Sequence, residues 1–179
     1  MYIDSARGAV MDDASLQLLR DRSEISDVQL RYATGVDMRD WKLFRSCFAD
    51  EIEVDFSSVF GGSGPRKVSG DQWTEAARRT VSGFRTTQHM ITNHVITVEG
   101  DNALCVAYLQ AQHYLPNEHG DSSQTIGGYY TNHLVRTPHG WKITSCKLTM
   151  TWSKGNWGIF ELARERLKAT EGTVDTKSR

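Results

Sequence analysis

His89 and His94 lie in the segment "TTQHMITNHVITVEGDNA", Thr86 to Ala103. Side chains alternate along an extended strand. His89, Ile91, Asn93, Val95 and Thr97 are therefore expected on one face, with Met90, Thr92, His94, Ile96 and Val98 on the other. His89 and Asn93 then look into one space together with apolar neighbours, which is the mixture that lines ligand pockets, while His94 looks away. A histidine so placed is either a general base working near neutral pH or a polar residue bonded to a backbone carbonyl. A second group stands in "LRYATGVDMRDW". Tyr32 and Asp37 are separated by about 7.5 Å of rise if the helix continues between them, and they then point in different directions. If the helix ends at Gly35, both can face one cavity; alternatively Tyr32 is a core aromatic and Asp37 caps a helix starting near Trp41.

Two more strands add candidates. Cys105, Ala107, Leu109, Ala111 and His113 share a face that can bring His113 to the mouth of the same cavity, although alternation leaves open which face is concave. Ile126, Gly128, Tyr130, Asn132, Leu134 and Arg136 share another. Gly127-Gly128 inside a strand predicts a bulge or a sharp bend, and a bent sheet can wrap a cavity. The histidines show no HxH or HExxH spacing and no acidic cluster accompanies them, so no metal site is expected. No nucleophile elbow or dinucleotide fingerprint is present, and the glycine-rich "FGGSGPRK" lacks the phosphate-loop pattern.

These residues need a scaffold, and the chain has 179 residues to build it, enough for one domain with a sizeable core. Lys and Arg number 21 against 22 Asp and Glu, a balance that offers no electrostatic case for nucleic acid or an anionic membrane. No apolar run approaches the roughly 20 residues of a membrane span. Cys47, Cys105 and Cys146 form no CxxC pair, and no leader-like N-terminus is visible. A reduced, cytoplasmic protein is expected.

Residues 1–12 read as a flexible arm. From Asp13 a helical stripe of Leu16, Leu19, Ile25, Val28 and Tyr32 is expected to stop near Gly35. A short helix follows, with Asp40 as its cap. Glu51 to Ser58 alternates as a strand, and Ser69 with Gln72 has the capping-box spacing for a third helix over Gly70 to Ser82. Two hairpins come next, His89–Glu99 with Ala103–Leu115, and Thr125–Arg136 with Trp141–Thr151. A last helix over Gly158–Lys168 leads into a polar tail expected to be disordered. The pattern is α+β, with helices on one face of a curved sheet.

Four blocks, "YATGVDMRDW", "TTQHMITNHVITVEGDNA", "AQHYL" and "GGYYTNHLVRTPHGWKI", resemble the SnoaL-like (polyketide cyclase-like) branch of the nuclear transport factor two-like superfamily. The resemblance spans Asp13 to Trp152. It implies a cone-shaped, cystatin-like fold: a curved antiparallel or mixed sheet with three helices enclosing a pocket over residues 13–157, followed by the C-terminal helix and tail over 158–179. It also implies a homodimer or homotrimer formed through the outer face of the sheet.

Around the site the chain is most similar to scytalone dehydratase, bile acid 7α-dehydratase and hexachlorocyclohexane dehydrochlorinase. These use an Asp-His pair as general base, often with a tyrosine on the first helix. The matching residues are Asp37, His89 and Tyr32, and Arg136 stands where the dehydrochlorinase has a catalytic arginine. Asn93, His113 and Tyr130 are then expected to contact a small hydrophobic cyclic ligand. The implied function is a dehydratase- or dehydrohalogenase-type lyase that needs neither a metal nor an organic cofactor. The same fold also serves non-catalytic binding proteins and the beta subunits of ring-hydroxylating dioxygenases, so that reading stays open beside the lyase.

Overall fold

The computed structural model describes residues 12–175. Most of the expected N-terminal arm and the end of the expected tail lie outside the described residues. The first helix, α1 (Asp13–Met38), starts where the Asp12 carboxylate accepts the Ser15 N–H. It is followed by α2 (Trp41–Arg45), β1 (Phe48–Asp55), a single turn α3 (Ser57–Phe60), β2 (Arg66–Ser69) and α4 (Gly70–Val81). Four long strands come next: β3 (Thr86–Glu99), β4 (Asn102–Tyr114), β5 (Ser123–Thr137) and β6 (Gly140–Gly155). Helix α5 (Ile159–Asp175) is the last described element.

The six strands form one sheet in the order β2-β1-β6-β5-β4-β3. The sheet is mixed because β1 runs parallel to β6 while every other pairing is antiparallel. It is open, with β2 and β3 at its edges. Glycine-rich "FGGSGPRK", expected as loop throughout, delivers β2 at its end. The inner faces of β4 and β5 join α1 in one core, with Ile25, Val28, Phe44, Ile52, Ala107, Tyr130 and Trp141 among its buried members. Leu16 and Leu19 of the expected stripe are exposed at the start of α1, and the buried stripe begins at Asp21.

Local chemistry explains several boundaries. Ser69 and Gln72 form the reciprocal capping box of α4, and the Asp40 carboxylate accepts the Leu43 N–H at the start of α2. Gly35 does not end α1. It sits inside the helix because α2 packs onto it: a Cβ there would lie 2.7 Å from the Phe44 nitrogen. The helix ends three residues later, at Arg39 in the left-handed conformation (φ 60°). At Gly127 the Trp152 indole lies against the backbone, and the register shifts between Gly127 and Gly128 because β6 carries the extra residue, Thr151.

A second bulge changes the expected faces. Between Thr92 and Val95, β3 has one residue more than β4 opposite, and Asn93 takes a positive φ of 54°. Thr87, His89 and Ile91 point inward as expected, but beyond the bulge the inward residues are His94, Ile96 and Val98. Helix α5 also exceeds expectation, since it continues past Lys168 through the first residues of the expected tail. Among the described residues no helix is long and apolar enough to cross a membrane.

Candidate active site

Asp37 lies in the last turn of α1 and reaches across to β3. Its Oδ2 accepts the backbone N–H of His89 at 2.6 Å, and its Oδ1 lies 2.7 Å from Nδ1 of His89. The Thr87 hydroxyl donates to the same Oδ1 at 2.8 Å. Burial by itself raises the pKa of Asp37. The hydrogen bonds and charge of His89, with Thr87, outweigh it, and the carboxyl ends below its ordinary value. Asp37 is therefore a carboxylate at neutral pH and can only accept, which assigns the proton of neutral His89 to Nδ1. The lone pair is left on Nε2. The side chain of His89 is 8% exposed, and His89 lines a cavity of about 410 Å³.

Every layer of the fold contributes to that cavity. Tyr32 and Val36 come from α1, Val54 from β1, and Phe56, Ser57 and Val59 to Gly64 from α3 and its flanks. Trp73, Ala76, Ala77, Thr80 and Val81 come from α4, while Leu109, Ala111, His113, Ile126, Tyr130 and Leu148 come from the sheet. Phe160 of α5 closes one side, and Arg66 stands at the rim as an exposed cation. Among the described residues no Asp or Glu side chain lines the cavity; Asp37 stands behind His89.

Tyr32, Tyr130 and His113 are among the polar groups that share the cavity with His89. The Tyr130 and Tyr32 hydroxyls are hydrogen-bonded to each other at 3.2 Å, and burial above all raises both phenol pKa values, so both hydroxyls stay protonated. Tyr32 is also a core aromatic, with its ring 4.9 Å from that of Phe44. His113 is buried beside Phe84 and Phe160, its ring 5.7 Å from the His89 ring and edge-on to it. Burial first, then the proximity of His89, push its pKa down to about 3, so His113 is neutral. Among the described residues no group of three or more His, Cys, Asp or Glu side chains is placed to hold a metal ion.

The structure thus brings Tyr32, His89, His113 and Tyr130 to one cavity, with Asp37 supporting His89 from behind. The alternative that Asp37 caps α2 is overturned, because Asp40 does so. Two expected site residues are elsewhere. Asn93 is exposed on the outer face, because its bulge breaks the alternation that pairs it with His89. His94 correspondingly turns inward and its Nδ1 meets the Ser26 hydroxyl at 2.5 Å. Arg136 shares the inner face with Tyr130 but sits six residues along β5, about 20 Å away. There its guanidinium binds both oxygens of buried Asp21, reaches Asp101, and lies 4.5 Å from the Trp141 ring centroid.

Sequence reasoning missed Thr87 and Arg39. Period two puts Thr87 on the face of His89, so that signal was available. Arg39 gave none, since its side chain returns to the site only through a left-handed turn. Phe160 lies in the helix expected after the 13–157 pocket domain, and only the packing of α5 against α4 brings it to the cavity.

The SnoaL-like domain family matches residues 17–147. The Kfla4162 protein of Kribbella flavida is 34% identical; the match covers 82% of this chain and 99% of that one, with a TM-score of 0.75. A Novosphingobium aromaticivorans protein, provisionally an aromatic ring hydroxylase, is 26% identical over 77% of this chain and 94% of its own, with a TM-score of 0.67. A hexachlorocyclohexane dehydrochlorinase, LinA Type2, has the same fold: 22% identity, coverage of 80% and 93%, and a TM-score of 0.67.

Proposed function

The chain belongs to the SnoaL-like domain family, and from that premise we propose that it is a cofactor-independent lyase of the dehydratase or dehydrohalogenase type. Its substrate is a small, cyclic, largely hydrophobic molecule. One observation carries the reading: Asp37 holds Nδ1 of His89 at 2.7 Å, and His89 lines an apolar cavity of about 410 Å³ to which its Nε2 lone pair is free. Nε2 takes a proton from a ring carbon, the C–H electron pair becomes the new C=C bond, and the leaving group departs from the neighbouring carbon with its bonding pair. Chloride leaves as the ion; hydroxide takes the proton back from the imidazolium and leaves as water. The imidazolium faces the Asp37 carboxylate, which stabilises it while it exists. The mutual hydrogen bond of Tyr32 and Tyr130 uses one of their two hydroxyl hydrogens, so the other is available to a substrate oxygen or to charge developing on the leaving group. His113, being neutral, adds a polar contact without a competing charge. The fold is shared with a hexachlorocyclohexane dehydrochlorinase, whose name describes such an elimination; for this chain the reaction class rests on the Asp37–His89 geometry.

The test is turnover of a panel of cyclic β-hydroxyketones and chlorinated rings by wild type and His89→Ala. A general base contributes about 10²–10⁴-fold, so the variant is expected to lose that much on any accepted substrate. Equal turnover by the two proteins removes His89 from the mechanism. Tight binding without turnover across the panel favours a non-catalytic binding protein or a dioxygenase beta subunit.

A further inference from the structure

Behind Asp37 stands a second layer with no contact to the cavity. Nη1 of Arg39 donates to the Thr87 hydroxyl oxygen at 2.8 Å, and that hydroxyl lies 2.8 Å from Oδ1 of Asp37. A guanidinium has five N–H groups and no acceptor, so the contact between Arg39 and Thr87 runs one way. The Thr87 oxygen accepts, and its single hydrogen is left for Asp37. Arg39 is itself fixed. Its Nη1 also donates to Val36 O at 2.6 Å and its Nη2 to Val81 O at 2.9 Å, the carbonyl ends of α1 and α4. Helix C-termini carry partial negative charge, so both favour the cation. Arg39 reaches them from a left-handed backbone conformation that L side chains adopt at a cost, and such outliers persist where the surroundings enforce them.

We propose that Arg39 and Thr87 are positioning residues of the site: Arg39 directs the Thr87 hydroxyl onto Asp37 and thereby holds the carboxylate in the rotation that keeps His89 Nε2 aimed at the cavity. The carboxylate then has three donors, two on Oδ1 and one on Oδ2, and cannot turn without losing at least one of them. Thr87 is buried and its neighbour Arg39 half-buried, so water does not readily replace either donor.

Thr87→Val removes the hydroxyl at nearly constant shape, Thr87→Ser keeps it, and Arg39→Met removes the guanidinium. The first readout is the His89 Nδ1–H proton resonance in protein labelled with ¹⁵N-histidine; it needs no substrate. The second is kcat on any substrate the wild type turns over, and only this arm rests on the lyase reading. Thr87→Val is expected to move the resonance and lower kcat about tenfold with KM little changed, matching the loss of one charge-assisted hydrogen bond. Thr87→Ser restores both. Arg39→Met moves the same resonance, and adds to Thr87→Val less than its separate effect because the two act in series. An unmoved resonance in Thr87→Val overturns the proposal, whether or not Arg39→Met folds. Full additivity of the two variants overturns the serial arrangement. A moved resonance beside a His89→Ala protein of undiminished turnover leaves the positioning intact and sinks the lyase instead.

Discussion

Asp37→Asn probes the site where its geometry is most constrained. Asparagine keeps the shape of aspartate but replaces one acceptor oxygen with a donor, and the pocket around Asp37 offers only donors: His89 N–H at 2.6 Å, His89 Nδ1 at 2.7 Å and the Thr87 hydroxyl at 2.8 Å. If the amide oxygen takes the Oδ1 position, the NH₂ faces the His89 backbone N–H. One buried donor is then unsatisfied, at about 1–3 kcal/mol. If the oxygen takes the Oδ2 position, the NH₂ faces Nδ1, and His89 must shift its proton to Nε2, the nitrogen proposed as the base. The first arrangement weakens the fold, by about 2–4 °C in melting temperature per kcal/mol for a chain of this size. The second abolishes the base. The expected outcome is a folded variant, melting a few degrees lower, whose kcat falls roughly 10²–10⁴-fold as general-base catalysis and tautomer control are lost. Thermal melts and initial rates at saturating substrate measure both. Wild-type kcat in Asp37→Asn, with His89→Ala inactive, would refute the tautomer argument while leaving His89 as the base.

Other predictions concern the frame that carries the site. Asp21 is buried and its pKa is lowered to about 2, chiefly by the Arg136 hydrogen bonds, from an ordinary 3.8. The folded value lies below the unfolded one, so this stability is present in full above about pH 4 and is lost as pH falls through about 2. The amount is about 2 kcal/mol. Urea midpoints between pH 5 and pH 2 should show that slope, and Asp21→Asn should flatten it. Arg136→Met leaves the Asp21 charge buried without its cation and should cost about 3 kcal/mol in urea unfolding, while turnover per folded molecule stays within about twofold of wild type. A large fall in turnover there would return Arg136 to the chemistry. Gly35→Ala drives a methyl group into the Phe44 backbone and should destabilise by about 1–3 kcal/mol, read as a lower melting temperature.

Features governed by neighbours in sequence were legible. The capping box at Ser69, the Asp40 cap and both hairpins follow from residues a few positions apart, and each is where its spacing puts it. The juxtaposition of Asp37 with His89 followed from family resemblance rather than from any pattern, since 52 residues separate them. What failed depended on partners far along the chain. Gly35 reads as a helix stop, and only Phe44 arriving from α2 explains a glycine inside the helix. The parallel pairing of β1 with β6 joins nearly the two ends of the domain and leaves no local mark.

Asn93 and Arg136 show how an alternation argument goes wrong in two different ways. At Asn93 the alternation itself breaks: one extra residue turns every later side chain of β3 over, so Asn93 leaves the cavity face and His94 joins the inner one. At Arg136 the alternation holds and still misleads, because a shared face is not a shared site. Along β5 the inward residues Tyr130, Asn132 and Arg136 meet Tyr32, Gln29 and Asp21 of α1 in turn. These three polar pairs match helix to strand in antiparallel register. A helix rises about 1.5 Å per residue and a strand about 3.3 Å, so eleven residues of α1 pair with six of β5 over nearly the same length. The pair at one end opens into the cavity, and the pair at the other locks the far end of the helix. A slip of one turn in α1 would break all three pairs at once and carry Asp37 about 5 Å from His89. The ion pair of Arg136 thus fixes the far end of α1 in a register that Gln29–Asn132 and Tyr32–Tyr130 also hold, and it makes no contact with the cavity.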